Sequence, residues 1–144
     1  MSTRINTITL KSWKAENFPE NITKLCEDSL EVLLTGSKYI CPTEHNKDID
    51  IMLLVSSTNT FTIKHLSCFE KCGNIYADDI MHAYRSGDYN ILITHDSNYF
   101  KKWALATHIA TLLNLTSKCH RSILFDHLLT DYDVKRDVYK DFLL

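Results

Sequence analysis

Apolar and polar positions along this 144-residue chain change period several times, and each change predicts a new element. Ile5-Asn6-Thr7-Ile8-Thr9-Leu10 alternates, as in a short strand or an extended arm. Pro19-Glu20-Asn21 supplies helix-start chemistry, and Ile22, Leu25, Cys26 and Leu30 follow at helical spacing, predicting a helix of about three turns. Val32-Leu33-Leu34 reads as the first core strand, ending at a Gly36-Ser37 turn, and Tyr39 to Lys47 reads as a loop placed to form a lid or substrate wall. Asp48 to Val55 is a second strand. Phe61, Lys64, His65, Cys68, Phe69 and Cys72 can share a helical face that ends at Gly73. Two runs, Ile80 to Arg85 and Tyr89 to Thr94, flank Ser86-Gly87-Asp88, which predicts a hairpin. Asp96-Ser97 then caps a long helix from about Asn98 to Leu113, with Phe100, Trp103, Ala106, Thr107, Ala110 and Leu113 along one stripe and Lys101 and Lys102 largely outside it. A further helix runs from about Lys118 to Leu129, and the charged tail after Asp131 ends in Phe142-Leu143-Leu144, which docks or frays.

The period of two in the second strand has a chemical consequence. It sets Asp48 and Asp50 on one face and Ile49 and Ile51 on the other. Two carboxylates in one small volume repel, and a hard divalent cation with oxygen ligands relieves that cost directly. The pair reads as a candidate Mg²⁺ (or Mn²⁺) site. Gly36-Ser37, a small-residue turn entering a helix, offers backbone N–H groups and a hydroxyl to bound phosphates, and Lys38 lies just beyond it, either reaching a phosphate or solvated.

An apolar run ending in Gly36-Ser37, followed after ten residues by Asp48-Ile49-Asp50-Ile51 on a hydrophobic strand, resembles the signature of the nucleotidyltransferase superfamily that includes DNA polymerase beta. From Asp88 onward, Asn90-Ile91-Leu92-Ile93-Thr94-x-Asp96, then Trp103, then Lys118-x-x-Arg121-x-x-Leu124-Phe125, is similar to small phage-encoded nucleotidyltransferase-like proteins; together the resemblance spans about residues 30 to 129. It implies an α/β (α+β) fold, with a small mixed sheet, flanking helices and a C-terminal helical pair. It also implies that Asp48 and Asp50 bridge metal ions, that Gly36 and Ser37 hold the β and γ phosphates of a nucleoside triphosphate, and that Arg121 assists in binding it.

One departure bears on activity. Active members of the superfamily use a third carboxylate on the strand beside the first pair, and here the equivalent hairpin position is Asn90. An amide coordinates through oxygen but cannot accept a proton as a general base. Asp88 and Asp96 are alternatives, although a turn position explains the first and helix capping the second. His95, His120, Arg85 and Arg121 suit triphosphate or leaving-group contacts chemically, and of these only Arg121 gains from the resemblance, through its Lys-x-x-Arg spacing.

Composition narrows the setting. With 44% hydrophobic residues the chain can bury one real core, and a single domain over residues 1–144 is expected. A net charge of −2 and a pI near 6.4 give no overall basic field for extended nucleic-acid binding. The five cysteines are odd in number and scattered, no signal peptide precedes them, and no run is long enough to span a bilayer, so reduced thiols in a cytoplasm, the host's if phage-encoded, are expected. His65, Cys68 and Cys72 lack a fourth zinc ligand and the usual paired hooks, so core packing accounts for them better. The expected function is transfer of a nucleoside monophosphate from an NTP to a hydroxyl acceptor on RNA, protein or a small molecule. The alternative is a weakened nucleotidyltransferase-fold module that inhibits or decoys a host protein.

Overall fold

A computed structural model describes residues 10–42, 48–72 and 80–129. Most of the alternating segment before Leu10, the loop residues 43–47, the expected helix stop at Gly73 and the tail after 129 lie outside the described residues. After a 3₁₀ turn at Trp13–Ala15, the elements are α1 (Glu20–Glu27), β1 (Glu31–Thr35), α2 (Ser37–Ile40), β2 (Ile49–Leu54), α3 (Thr58–His65), β3 (Glu70–Lys71), β4 (Met81–Ser86), β5 (Tyr89–Thr94), α4 (Ser97–Leu112) and α5 (Lys118–Leu128). The five strands form one sheet in the order β1-β2-β5-β4-β3. Among the described residues only the β2–β5 pairing is parallel, so the fold is a mixed α+β sheet with helices on both faces.

Continuous apolar runs at the sheet centre follow from that two-sided cover, because both alternating sets of side chains must be dry. Ile51, Met52, Leu53, Ile91 and Ile93 have no solvent exposure. On one face Leu33, Met52, Leu54 and Met81 meet Tyr99, Phe100, Trp103 and Ala106 of α4, with Phe125 of α5 set edge-on against Trp103 at 5.0 Å. On the other face Leu34, Ile51, Leu53 and Ile91 meet Ile22, Leu25 and Cys26 of α1 and Phe61 of α3. Burial in this second layer pushes the Cys26 thiol up to about 12. No cysteine forms a disulfide.

Four expectations are corrected. The first helix has two turns rather than three, because the Asp28 N–H closes it on Lys24 O and Leu30 N–H already pairs with Leu54 O beside β1; Leu30 is 65% exposed rather than packed. The helix expected to run to Gly73, here α3, stops at His65, where the Leu66 N–H caps it, and Glu70–Lys71 leave to pair with β4, so Cys68 is exposed rather than in the core. Tyr39, Ile40 and Cys41 are buried, the first two in α2, rather than lying in a surface loop. The long helix falls within a residue of expectation, but Leu113 is its exposed C-cap.

Candidate functional site

Four strands bring Thr35, Asp50, Asn90 and Arg85 into one row across the sheet. Thr35 stands opposite Asp50, Asp50 opposite Asn90, and Asn90 opposite Arg85. Directly opposed residues share a face, so the row is continuous, and Asp48 lies two positions before Asp50 on the same side. The hairpin fixes half of it. Gly87 and Asp88 form a two-residue turn with Gly87 at φ +60°, which leaves Ser86 opposite Tyr89 and Arg85 opposite Asn90.

The side chains of the row are bonded to one another. Asn90 Nδ2 donates to Asp50 Oδ1 at 2.8 Å, Arg85 Nη1 donates to Asn90 Oδ1 at 2.6 Å, and Arg85 Nη2 donates to Asp48 Oδ1 at 2.7 Å. Because a guanidinium can only donate, the Asn90 atom facing it must be the oxygen, and the amide N–H is thereby aimed at Asp50. Burial is the main force raising the Asp50 carboxyl; the Asn90 hydrogen bond opposes it, the Asp48 charge adds to it, and Arg85 opposes it. Arg85 is held more firmly protonated, first by its hydrogen bond to Asp48 and then by that carboxylate's charge.

Gly36 closes the site from β1. Its backbone at φ 82°, ψ 179° lies where essentially only glycine settles. A β-carbon there would overlap Asp50 Oδ2 and stand 2.8 Å from Asp50 Cγ. The missing side chain thus makes room for the carboxylate. Gly36 O accepts from the N–H groups of Tyr39 and Ile40, starting the single turn of α2, so Ser37 and a half-buried Lys38 follow at the helix's open end.

Beneath the row runs a buried ring of hydrogen bonds. Trp103 Nε1 donates to Thr35 Oγ1 at 3.2 Å, Thr35 and Thr107 hydroxyls meet at 2.8 Å, and Thr107 Oγ1 donates to Trp103 O at 2.9 Å. Since Thr107 spends its proton on Trp103 O, the Thr35 hydroxyl must donate to Thr107. The ring locks the end of β1, and with it the Gly36 turn, onto α4.

Other candidates take separate places. Arg121 Nη1 reaches Leu115 O and Thr116 O, each at 2.9 Å, and Cys41 Sγ at 3.2 Å, pinning the α4–α5 connection to the end of α2. Asp96 caps α4 through Tyr99 N, and Asp88 is exposed in the hairpin turn, its backbone oxygen accepting from Ile49 N. His95 and His120 are exposed; His95 Nδ1 meets Thr58 Oγ1 at 3.3 Å and the His120 N–H meets Ser117 Oγ at 3.4 Å. No family model matches the chain, and neither characterised proteins nor solved structures yield a match. The site must be judged on its own chemistry.

On that chemistry, the donor set suits a hard cation in kind. Asp48 and Asp50 offer carboxylate oxygens, and a cation between them would offset both the burial of Asp50 and its repulsion by Asp48. Among the described residues no further group of His, Cys, Asp or Glu completes a cluster of three. Arg85, weighed from the sequence for triphosphate or leaving-group contacts, is bonded instead to the Asp48 and Asn90 oxygens, a place the sequence reading did not give it. Its signal was present in the two-residue turn, whose register alone sets residue 85 against residue 90.

Proposed function

We propose that this chain is a nucleotide-binding domain of nucleotidyltransferase type, in which Asp48 and Asp50 hold Mg²⁺ (or Mn²⁺) and the Gly36-Ser37 turn receives the phosphates of an NTP. The observation that carries the reading is the Asp50 carboxylate lying over Gly36, since it joins the metal-type residues to the phosphate-type turn in one contact. The metal would neutralise charge on the transferred phosphoryl group. The chain's own residues do the rest. Thr35 and Gly36 fix the turn, Asn90 orients Asp50, and Ser37 and Lys38 stand beside the turn as hydroxyl and ammonium donors. Asn90, an amide, cannot take the acceptor's proton. The product is a nucleoside monophosphate joined to a hydroxyl acceptor on RNA, protein or a small molecule, with pyrophosphate released.

Calorimetric titration with ATP, GTP, CTP and UTP, with and without Mg²⁺, tests the binding step. Binding of at least one that depends on Mg²⁺ and disappears in Asp48→Asn/Asp50→Asn supports the proposal. Silence with all four removes nucleotide from the account. A second reading, a weakened module that binds and inhibits or decoys a host protein, is favoured by one feature: an amide at position 90 donates to Asp50, where a third carboxylate would accept. A stoichiometric, nucleotide-independent partner captured from host cytoplasm would support it.

A further inference from the structure

We infer that Arg85 is an internal cation of the Asp48–Asp50 site, a guanidinium latch that competes with divalent metal and sets the site's affinity for it. This rests on reading the two carboxylates as a cation site. The guanidinium bridges two members of the row at once, bonding Asp48 Oδ1 at 2.7 Å and Asn90 Oδ1 at 2.6 Å. Both are oxygens that a hard cation would use. Holding Asn90 by its oxygen also turns the amide N–H onto Asp50 Oδ1, so one arginine withdraws an oxygen from each of three residues. A metal that takes these same oxygens must displace the three contacts.

The latch can open. The Arg85 and Asp48 side chains are 35% and 43% exposed, so the guanidinium can leave without stranding a charge in the core. Glu70, opposite Arg85 in the β3–β4 register, offers it a second carboxylate on the far side. The charge count explains why position 90 matters. With asparagine there, one guanidinium faces two carboxylates and competes well; with aspartate, the row would carry a further negative charge and favour a divalent ion over a monovalent one.

Mn²⁺ binding, measured by electron paramagnetic resonance of free Mn²⁺ and by calorimetry at low and at physiological ionic strength, tests the latch without recourse to activity. Arg85→Gln should tighten Mn²⁺ binding about threefold to tenfold, as expected when one partly exposed unit charge beside a divalent ion is removed. Arg85→Lys, which keeps the charge and loses the fork, should fall between Arg85→Gln and wild type. Circular dichroism melts establish that each variant is folded. In wild-type protein, arginine-selective NMR should show the Arg85 guanidinium rotating slowly without metal and faster once Mg²⁺ is added, so the inference stands testable even if both variants fail to fold. Wild-type Mn²⁺ binding that Asp48→Asn/Asp50→Asn abolishes but Arg85→Gln leaves unchanged or weakens overturns the latch and spares the metal site. Absence of Mn²⁺ binding in both wild type and Arg85→Gln overturns the latch and the metal reading together.

Discussion

Replacing Gly36 by alanine tests the contact on which the site is built. The backbone there, at φ 82° and ψ 179°, is nearly closed to residues with a β-carbon, which costs about 1–3 kcal/mol. The new methyl would also overlap Asp50 Oδ2, so the carboxylate must turn away and surrender its hydrogen bond from Asn90. A lost bond to a charged group costs about 1.5–3 kcal/mol, giving roughly 3–5 kcal/mol in all. For a chain of this length about 3 °C of melting temperature corresponds to each kcal/mol, so Gly36→Ala should melt about 10–15 °C lower by circular dichroism. Gly87→Ala is the internal control. It also has positive φ, but no atom lies within 4 Å of its new β-carbon, so only the left-handed penalty of about 1–2 kcal/mol applies. In an Asp50→Ala background, Gly36→Ala should cost about 1.5–3 kcal/mol less, because the clashing carboxylate and its hydrogen bond are already gone. Equal melting of Gly36→Ala and Gly87→Ala, or an undiminished cost in the Asp50→Ala background, would refute the reasoning.

Other predictions rest on separate contacts. Because burial raises the Asp50 carboxyl above its ordinary 3.8, Asp50 favours folding below that value and loses this contribution as pH rises through the raised folded value. Asp50→Asn should therefore gain stability relative to wild type on going from pH 3 toward neutrality in urea titrations, and a pH-independent difference would contradict the burial of that charge. Thr35→Val takes the acceptor from the Trp103 Nε1–H donor, while Thr107 keeps its bond to Trp103 O, costing about 1–3 kcal/mol in chemical denaturation; a cost under about 0.5 kcal/mol would mean that the ring is dispensable. Arg121→Met should lower thermal stability by about 0.5–1.5 kcal/mol through the lost hydrogen bonds to Leu115 O and Thr116 O, and unchanged stability with lost nucleotide binding would assign Arg121 to the ligand instead.

Local pattern alone determined much of this molecule. The alternation that separates Asp48 and Asp50 from Ile49 and Ile51, the turn that registers Arg85 with Asn90, and the Asp96 cap of α4 are written in short stretches whose geometry is nearly fixed by residue type. Long-range pairing was not legible in the same way. Nothing within β2 or β5 says that they lie parallel and adjacent, and that pairing places Asn90 rather than Asp88 or Asp96 against Asp50. The two-residue β3 carries no periodicity of its own and exists only because β4 offers it backbone partners. Apolar spacing misled at Leu30 and Leu113, where capping ended each helix before the side chain could reach a core. Arg85 shows the division most plainly. Its sequence position predicts a strand residue on a hairpin, but a guanidinium long enough to cross two strands bonds whatever the sheet order sets beside it, and only the assembled sheet sets Asp48 and Asn90 there.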